Sequence, residues 1–354
     1  MTTTLARPEL TVTDPSGQDW RIAEPTGHVY QLDRGESVDL ANAARRVAAA
    51  LNGVETIDDH ALLVRAEVAM RAASPALVES LIDFRINSSR DGVMVVRGMP
   101  VDNVLPETPT GGNFGGSWRD LPVSTLGQLM VMSILGDVIS YADEKDGRLI
   151  QDVCPVPGAE FRQENTGSSL LELHTEDGFH PTMPHFISLL GLRSDHDRSA
   201  VTVGSGIRAA LPLLSPETID ALRRPDFRMR LASSFVGQDS VAYSHALPVL
   251  SGHRDDPDLC VDFHAMEPMT LAAEGAFVAL RDALMATMVG AVLGPGDLLV
   301  VDNRKAVHGR TGFVPRYDGR DRWLRRCFTV TDIRTSSEQR FPDSRVHRPL
   351  TIAA

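Results

Sequence analysis

The chain has 354 residues, of which 42% are hydrophobic and 23% are charged, and its formal net charge is −12. This composition is typical of a globular protein that can bury a sizeable core. The acidic excess argues against nucleic acid or an anionic membrane as the main partner, because phosphate binding requires a concentrated basic surface. No run of about 18 apolar residues and no secretory signal pattern occur, so we expect a cytoplasmic protein. The three cysteines lack C-x-x-C spacing, which predicts neither a disulfide framework nor a zinc cluster.

The first part of the chain is predicted to be mainly helical. Residues 1–35 are rich in Thr, Pro, Gly and acidic residues, which indicates an N-terminal arm or an added edge strand. Residues 37–53 show helical spacing of apolar positions and end at a glycine, and further helices are predicted at residues 59–73 and 74–84. The run GVMVVRGMPV that follows is β-branched and bounded by glycines, which predicts the first strand of a main sheet.

The rest of the chain is predicted to consist mainly of strands. A helix is expected at residues 124–142, and afterwards short apolar runs such as HFISLLGL, SAVTVGS, DLLVVDN and RCFTVTD alternate with turns. Helices are expected to interrupt them at residues 215–224 and 272–292. Helices followed by antiparallel strands predict a single α+β domain at residues 36–354. Its expected architecture is a double-stranded β-helix, the jelly roll of cupin-like proteins, braced by N-terminal helices.

Metal-binding residue types lie in the segment LLELHTEDGFH. His174 and Glu176 are two residues apart, and alternate residues of a strand point to the same face. Two histidines and one carboxylate bind iron(II) and leave coordination positions for a cosubstrate and O₂. Because a His-x-acid pair also occurs by chance, as at His253 and Asp255, a distant third ligand is required. The run GDLLVVDNRKAVHGRTGF supplies one, since a buried strand is predicted to end at His308 and to face the interior of a barrel.

Two arginines follow in the run RYDGRDRWLRRCFTV. Arg322 and Arg326 are four residues apart on a predicted extended segment and therefore share a face. A guanidinium group binds a carboxylate through two hydrogen bonds, so this pair suits the distal carboxylate of 2-oxoglutarate and a carboxylate of the substrate. The alternative for this stretch alone is an arginine cluster on the surface of a strand.

These runs, together with GDVISYADEKDGRLIQDVCPVPG and DPDLCVDFHAMEP, resemble the clavaminate synthase-like oxygenases. Within that family the chain resembles the bacterial free-amino-acid hydroxylases, such as asparagine oxygenase and the arginine β-hydroxylases, over most of its length. The resemblance implies an oxygenase that requires Fe(II) and uses 2-oxoglutarate and O₂ as cosubstrates. It also implies that His174, Glu176 and His308 bind the iron.

The same resemblance implies roles for five further residues. Arg322 matches the residue that pairs with the distal carboxylate of 2-oxoglutarate, and Thr202 matches a supporting hydroxyl in that pocket. Arg326 matches the residue that binds the α-carboxylate of the amino-acid substrate. Glu144 falls where these enzymes contact the amino group of the substrate, and Asp262 falls where they read its side chain. Each acid taken alone is more often a surface or turn residue, but a buried carboxylate requires a polar or cationic partner.

The side chain of the substrate is left open by the sequence. Arginine hydroxylases carry a second acid two residues beyond the position of Asp262, where this chain has His264, and the asparagine enzyme has an apolar residue there. Residues 236–256 resemble in position the flexible lid that closes over the substrate in these enzymes, where it would exclude water. A surface loop without a gating role is the alternative for this segment.

The sequence therefore predicts Fe(II)- and 2-oxoglutarate-dependent hydroxylation of a free L-amino acid with a polar or cationic side chain, such as asparagine, arginine or lysine. Succinate and CO₂ are the expected coproducts, and C3 is the expected position, because an anchored α-carboxylate keeps the neighbouring carbons near the metal. The alternatives are C4 hydroxylation, desaturation, a non-proteinogenic or carrier-bound substrate, a sulfonate or β-lactam precursor, and a jelly-roll binding protein without activity. A role in antibiotic biosynthesis is the expected context, and no oligomeric state is predicted.

Overall fold

Strands and helices are interleaved in the structure, a computed structural model that describes residues 8–236 and 241–351. The strands are β1 (Glu9–Thr13), β2 (Asp19–Ala23), β3 (Val29–Gln31), β4 (Val93–Arg97), β5 (Asp137–Tyr141), β6 (Gln151–Val153), β7 (Leu171–His174), β8 (Phe186–Arg193), β9 (Val201–Gly206), β10 (Phe227–Met229), β11 (Leu250–Gly252), β12 (Pro257–Leu259), β13 (Met266–Pro268), β14 (Val289–Val292), β15 (Leu298–Asp302), β16 (Ala306–Arg310), β17 (Trp323–Val330) and β18 (Val346–His347). The α-helices are α1 (Arg34–Ala50), α2 (His60–Ala73), α3 (Pro75–Asn87), α4 (Pro122–Leu135), α5 (Ile207–Ala210), α6 (Pro216–Leu222), α7 (Ser233–Val236) and α8 (Leu271–Ala286). Within the described ranges, no helix is long and apolar enough to cross a lipid bilayer.

Two large sheets lie at the centre of the structure. The larger sheet has the order β18-β5-β17-β8-β15-β4-β3, with β6 also paired to β17, and the smaller has the order β1-β2-β14-β9-β16-β7. Most neighbours are antiparallel, whereas β3 and β4, β2 and β14, and β5 and β18 are parallel pairs. The strands β10 and β13, and the strands β11 and β12, form separate two-stranded sheets. The strands β7, β8 and β9, and again β14, β15, β16 and β17, alternate between the smaller and the larger sheet along the chain.

The two large sheets face each other across an apolar layer. In β4, Val93 and Val95 point into this layer, while Met94 and Val96 belong to the apolar cluster on the opposite face. The layer also contains Leu189, Leu299, Val301 and Leu324 of the larger sheet and Val289, Ala291 and Ala306 of the smaller sheet. Alternate side chains of β4 are thus buried on opposite faces, which explains why the whole strand is apolar.

Helices α1 to α4 pack on the outer face of the larger sheet. Their apolar side chains form one cluster with side chains of β4, β8 and β15. Asp33 begins α1 and Asp59 begins α2, and each carboxylate accepts a hydrogen bond from a main-chain N–H of the first turn. The helices predicted at residues 37–53, 59–73 and 74–84 are confirmed, since α1, α2 and α3 lie at these places.

The first described residues form edge strands. The strands β1 and β2 form a hairpin, β2 extends the smaller sheet beside β14, and β3 pairs with β4 of the larger sheet. Trp20 and Ile22 of β2 are buried in a core shared with α8. The indole N–H of Trp20 donates to Asp14 at 3.0 Å. Of the two alternatives for this segment, the structure shows edge strands.

Two helix predictions extended too far. The helix expected at residues 124–142 is α4, which ends at Leu135 and is followed directly by β5. The helix expected at residues 272–292 is α8, which ends at Ala286 before β14. Both errors have the same cause, because a continuous apolar run does not distinguish a buried helix from a buried strand.

Residues 237–240 of the segment expected to form a lid lie outside the described residues. Residues 241–256 lie beside β10, where the main-chain N–H of Ser244 donates to the main-chain oxygen of Met229. The strands β11 and β12 then pair as a small antiparallel sheet. A lid therefore stays a prediction, and its described part is tied to the main chain of β10.

The turn between α4 and β5 leaves no room for a side chain. A Cβ atom on Gly136 would lie 2.3 Å from the main-chain oxygen of Val330 in β17. We expect Gly136→Ala to lower the free energy of unfolding by about 2 kcal/mol, as overpacked sites do. Gly275→Ala is the control, because a Cβ atom at this exposed position of α8 meets nothing within 4 Å and alanine favours the helix. Urea denaturation that moved both variants in the same direction would contradict this explanation.

Candidate metal centre and active-site cavity

Two histidines face each other across neighbouring strands of the smaller sheet. His174 ends β7 and His308 lies in the middle of β16, and the two residues are direct partners in the antiparallel register. Their ring centroids are 4.3 Å apart. Glu176 lies two residues after His174, and one ligand atom from each of the three side chains lies within 4.8 Å of the other two. The structure therefore brings together the three residues that the sequence predicted as metal ligands.

The strands around this site differ in detail from the prediction. The apolar run LLVVD forms β15 in the larger sheet and ends at Asp302, while His308 belongs to a separate strand of the smaller sheet. A tight turn joins them, in which the Lys305 N–H donates to the main-chain oxygen of Asp302. The strand β7 ends at His174, so Glu176 lies beyond it. The direction of the Glu176 side chain is thus set by tertiary contacts rather than by strand alternation.

Asn303 provides those contacts from the turn before β16. Its side-chain oxygen accepts from the main-chain N–H of Glu176 at 2.8 Å, and its amide group donates to the main-chain oxygens of Glu176 and Pro184, both at 2.9 Å. The residue is fully buried. The main chain beyond a strand end has N–H and C=O groups without strand partners. An amide side chain can donate to and accept from such groups at the same time. Asn303 was not predicted, and its only signal in the sequence was its place in a polar turn between two apolar strands.

The donor atoms suit a divalent ion of the iron(II) type. The Nδ1 atom of His174 lies 2.8 Å from the main-chain oxygen of Glu172, which only accepts, so Nδ1 carries the proton and Nε2 is available to a metal. The Nε2 atom of His308 lies 3.4 Å from Oε2 of Glu176. Burial and the neighbouring His174 lower the pKa of His308, which favours its neutral, metal-binding form. Two imidazoles and one carboxylate form the donor set of non-haem iron(II) sites.

A buried arginine is bound to the carboxylate of this site. Arg326 in β17 donates to Oε1 of Glu176 at 2.6 Å, to Oε2 of Glu144 at 2.7 Å and through two nitrogens to the side-chain oxygen of Gln151. Burial by itself would raise the pKa of Glu176, but Arg326 and His308 hold it well below its usual value. Glu176 is therefore ionised, with one oxygen bound to the guanidinium and the other turned to the histidines. Gln151 was not predicted from the sequence.

The second predicted arginine lies at another end of the same cavity. Arg322 precedes β17, is buried and donates to the Thr202 hydroxyl at 3.0 Å. Thr202 lies on β9, which is the neighbour of β16 in the smaller sheet. Burial lowers the pKa of Arg322 to about 10. The positively charged guanidinium of Arg322 is thus hydrogen-bonded to a hydroxyl rather than paired with an acid, so it is suited to an anionic ligand.

One cavity of about 250 Å³ connects these groups. Asp262 also borders it, forms an isolated bridge with His174, and accepts at Oδ1 from the main-chain N–H groups of His264 and Ala265. The residues predicted from the sequence that line the cavity are Glu144, His174, Glu176, Thr202, Asp262, His308, Arg322 and Arg326. All of the predicted site residues are therefore brought to a single cavity.

Comparison with known proteins identifies the family. The chain matches the family model described as taurine catabolism dioxygenase TauD, TfdA family, over residues 88–328, which is more than half of its length. The chain belongs to the TauD/TfdA dioxygenase family. It is an Fe(II)- and 2-oxoglutarate-dependent dioxygenase with the mixed α/β fold of that family.

Individual relatives agree with this assignment. L-asparagine oxygenase of Streptomyces coelicolor is 42% identical over 316 residues, which are 89% of this chain and 93% of that protein. Clavaminate synthase 2 of Streptomyces clavuligerus is 35% identical over 289 residues, which are 81% of this chain and 88% of that protein. A solved structure of asparagine oxygenase with Fe(II), 2S,3S-3-hydroxyasparagine and succinate has a TM-score of 0.84 at 40% identity, covering 91% of this chain and 99% of that chain. The resemblance to clavaminate synthase-like oxygenases is confirmed.

We expect Asn303→Ala to weaken metal binding about tenfold or more, because it removes the contacts that hold the main chain of Glu176. Gln128→Ala is the matched control, since Gln128 is equally buried and its amide donates to Ser188 and Arg325 beneath α4. Both variants should lose stability, but only Asn303→Ala should lose affinity for Mn(II) in titration calorimetry of metal-free protein. Equal metal affinities of the two variants would show that Asn303 does not position Glu176.

Proposed function

We propose that the protein hydroxylates C3 of a free L-amino acid with a polar side chain, with L-asparagine as the favoured substrate. A buried pair of opposite charges carries this proposal, since Arg326 donates to Glu144 at 2.7 Å beside Glu176. A free amino acid is a zwitterion, and its carboxylate and ammonium groups complement these two side chains. The names of the relatives support the same class of substrate, and the bound 3-hydroxyasparagine of the solved structure supports position C3.

We assign the iron to His174, Glu176 and His308. When bound there, iron(II) supplies the activation of O₂ that couples decarboxylation of 2-oxoglutarate to succinate and CO₂ with insertion of one oxygen atom into a substrate C–H bond. The protein holds the ligands in place, because Asn303 fixes the main chain beside Glu176 and the Glu172 oxygen orients the His174 ring. Burial of Glu176 and His308 keeps bulk water away from the reacting groups.

Arg322 and Thr202 are assigned to the distal carboxylate of 2-oxoglutarate. The guanidinium of Arg322 is buried and donates to the hydroxyl of Thr202 rather than to an acid. A buried cation that lacks a counter-charge is unfavourable. A dicarboxylate that extends from the metal site to this end of the cavity supplies the missing charge.

Arg326 and Glu144 are assigned to the two charged ends of the substrate backbone. In the structure Arg326 is shared between Glu144 and Glu176. A zwitterion placed between Arg326 and Glu144 pairs its carboxylate with Arg326 and its ammonium group with Glu144. The ion pair between these two side chains is thereby replaced by two ion pairs with the substrate. Burial raises the pKa of Glu144, although Arg326 opposes this, and an ammonium partner favours the ionised form. Both anchors lie beside Glu176, which keeps the carbon next to the α-centre near the metal.

The side-chain end of the substrate is assigned to Asp262, with Asn165 also lining the cavity. Arg230 lies close by, with its Nη2 atom 3.2 Å from the ring Nε2 of His264, and a neighbouring cavity is lined by both Arg230 and Asp262. A cationic side chain entering here is opposed by the charge of Arg230. A neutral amide donates to a carboxylate and accepts from an amide, so the surroundings favour asparagine over arginine and lysine.

We also propose that the two large sheets form a double-stranded β-helix, or jelly roll, braced by α1 to α4. Three features support this architecture. The strands alternate between the sheets within the two runs β7–β9 and β14–β17, the facing sides share one apolar layer, and the helices cover the outer face of the larger sheet. Such a fold places the metal site between the two sheets, where side chains from several strands converge.

Turnover of a panel of free amino acids tests the proposed function. Protein loaded with iron(II) under nitrogen, then supplied with 2-oxoglutarate and O₂, should release succinate with L-asparagine, and the product should gain the mass of one oxygen atom. L-asparagine with its α-carboxylate blocked as an amide is the control, because it cannot pair with Arg326. Silence across all proteinogenic L-amino acids, with 2-oxoglutarate shown to bind by calorimetry, would contradict the assignment to free amino acids.

Glu144→Gln is expected to raise the KM for the amino acid about tenfold or more, because it removes the charge that pairs with the substrate ammonium group. Binding of 2-oxoglutarate should not change, since Arg322 lies at the other end of the cavity. Glu67→Gln is the control, because Glu67 accepts from Arg71 on the surface of α2, so this variant loses an arginine ion pair outside the cavity. An unchanged KM for Glu144→Gln would remove Glu144 from the substrate site.

A further inference from the structure

Arg310 is a buried cation without a role in the proposed reaction. It lies in β16 two residues after His308, and alternate residues of a strand point to the same face, so both side chains lie on one side of the sheet. Arg310 borders the active-site cavity and is 3% exposed. Its Nη2 atom donates to the main-chain oxygen of Ser169 at 2.7 Å, while its buried Nε–H lacks an acceptor among the described residues.

The strand register places Arg310 beside the proposed cosubstrate site. Arg310 and Thr202 are direct partners in the antiparallel pairing of β16 with β9, so their side chains are neighbours. The hydroxyl of Thr202 accepts from Arg322. The ring of Phe313 lies near both guanidinium groups, with its centroid 5.0 Å from Cζ of Arg310 and 5.9 Å from Cζ of Arg322. The two arginines therefore occupy the same end of the cavity.

These two guanidinium groups form a positive site without an ion-pair partner among the described residues. Burial and the nearby charge of Arg322 lower the pKa of Arg310 to about 9. Asp195, the acid whose charge acts on both, instead accepts hydrogen bonds from the main-chain N–H groups of Ser199 and Ala200 and from the Ser199 hydroxyl. By contrast, the equally buried Arg325 lies 3.4 Å from Asp152. Adjacent buried cations repel each other and lose hydration, and a negative ligand between them offsets both costs.

We infer that Arg310 is a specificity-determining residue that acts with Arg322 to select a 2-oxo acid with a second, distal carboxylate. This inference rests on the proposed cosubstrate site at Arg322 and Thr202. The distal carboxylate brings a negative charge to a place with two positive charges. A 2-oxo acid of the same length that ends in a methyl group leaves both cations without a counter-charge, so it is disfavoured by charge rather than by size.

Calorimetric titration of the iron(II)-loaded protein under nitrogen tests this inference with two ligands. 2-Oxoglutarate carries the distal carboxylate, and 2-oxopentanoate has the same carbon chain with a methyl group at that end. We expect Arg310→Met to weaken binding of 2-oxoglutarate about 10- to 100-fold, as loss of a charged partner does, and to leave binding of 2-oxopentanoate unchanged or tighter. Arg310→Lys keeps the charge and should recover most of the affinity for 2-oxoglutarate.

Arg322→Met distinguishes a failure of this inference from a failure of the proposed function. Suppose that Arg322→Met weakens binding of 2-oxoglutarate but not of 2-oxopentanoate, while Arg310→Met changes the binding of both ligands equally or of neither. The proposed cosubstrate site is then supported, and the proposed role of Arg310 is wrong. If Arg322→Met also fails to distinguish the two ligands, the proposed cosubstrate site itself is wrong.

Thermal unfolding separates a binding role of Arg310 from a structural one. Without 2-oxoglutarate, Arg310→Met should unfold at the same or a higher temperature than the unchanged protein, because it removes a buried cation that has no ion-pair partner. Arg325→Met is the matched control, since it leaves the buried Asp152 without its cation and should lower the Tm. Arg310 would be a structural residue if Arg310→Met and Arg325→Met lowered the Tm equally and Arg310→Met also weakened binding of both 2-oxo acids to the same extent.

Discussion

The pairing of β16 with a strand on each side determines which side chains meet in the active-site cavity. Pairing with β7 sets His308 opposite His174, and pairing with β9 sets Arg310 opposite Thr202. Gly309, between His308 and Arg310, permits the close approach of β7, because a Cβ atom there would lie 2.7 Å from a main-chain oxygen of that strand. A shift of register by one residue would turn these side chains to the other face of the sheet. One strand thus serves both the proposed metal site and the proposed cosubstrate site.

The two ends of the cavity differ in charge. At one end Arg326 is balanced by Glu144 and Glu176, whereas at the other end Arg310 and Arg322 have no ion-pair partner in the described part of the chain. A zwitterion suits the balanced end, because it brings one charge of each sign. A dianionic cosubstrate suits the positive end. We therefore propose that the cavity distinguishes its two ligands by charge.

Much of the fold could be predicted because its signals are local. The apolar spacing that predicts a helix lies within the helix itself, so α1, α2 and α3 were located correctly. The helices α4 and α8 were extended into strands, since apolar composition alone does not separate the two states. The end of α4 depends instead on β17, a distant strand that approaches Gly136 too closely for a side chain. That contact is invisible in the sequence.

The sequence by itself determined the chemical character of the site, because His174, Glu176, His308 and the later arginines carry recognisable types and spacing. Only the tertiary structure decided their partners. The hydrogen bonds that fix Glu176 and Arg326 join residues 127 and 175 positions apart in the chain, and they come from Asn303 and Gln151, which no local pattern marked. Hydrogen bonds and charge interactions depend on distance in space, and strand pairing between remote segments, rather than local propensity, sets that distance.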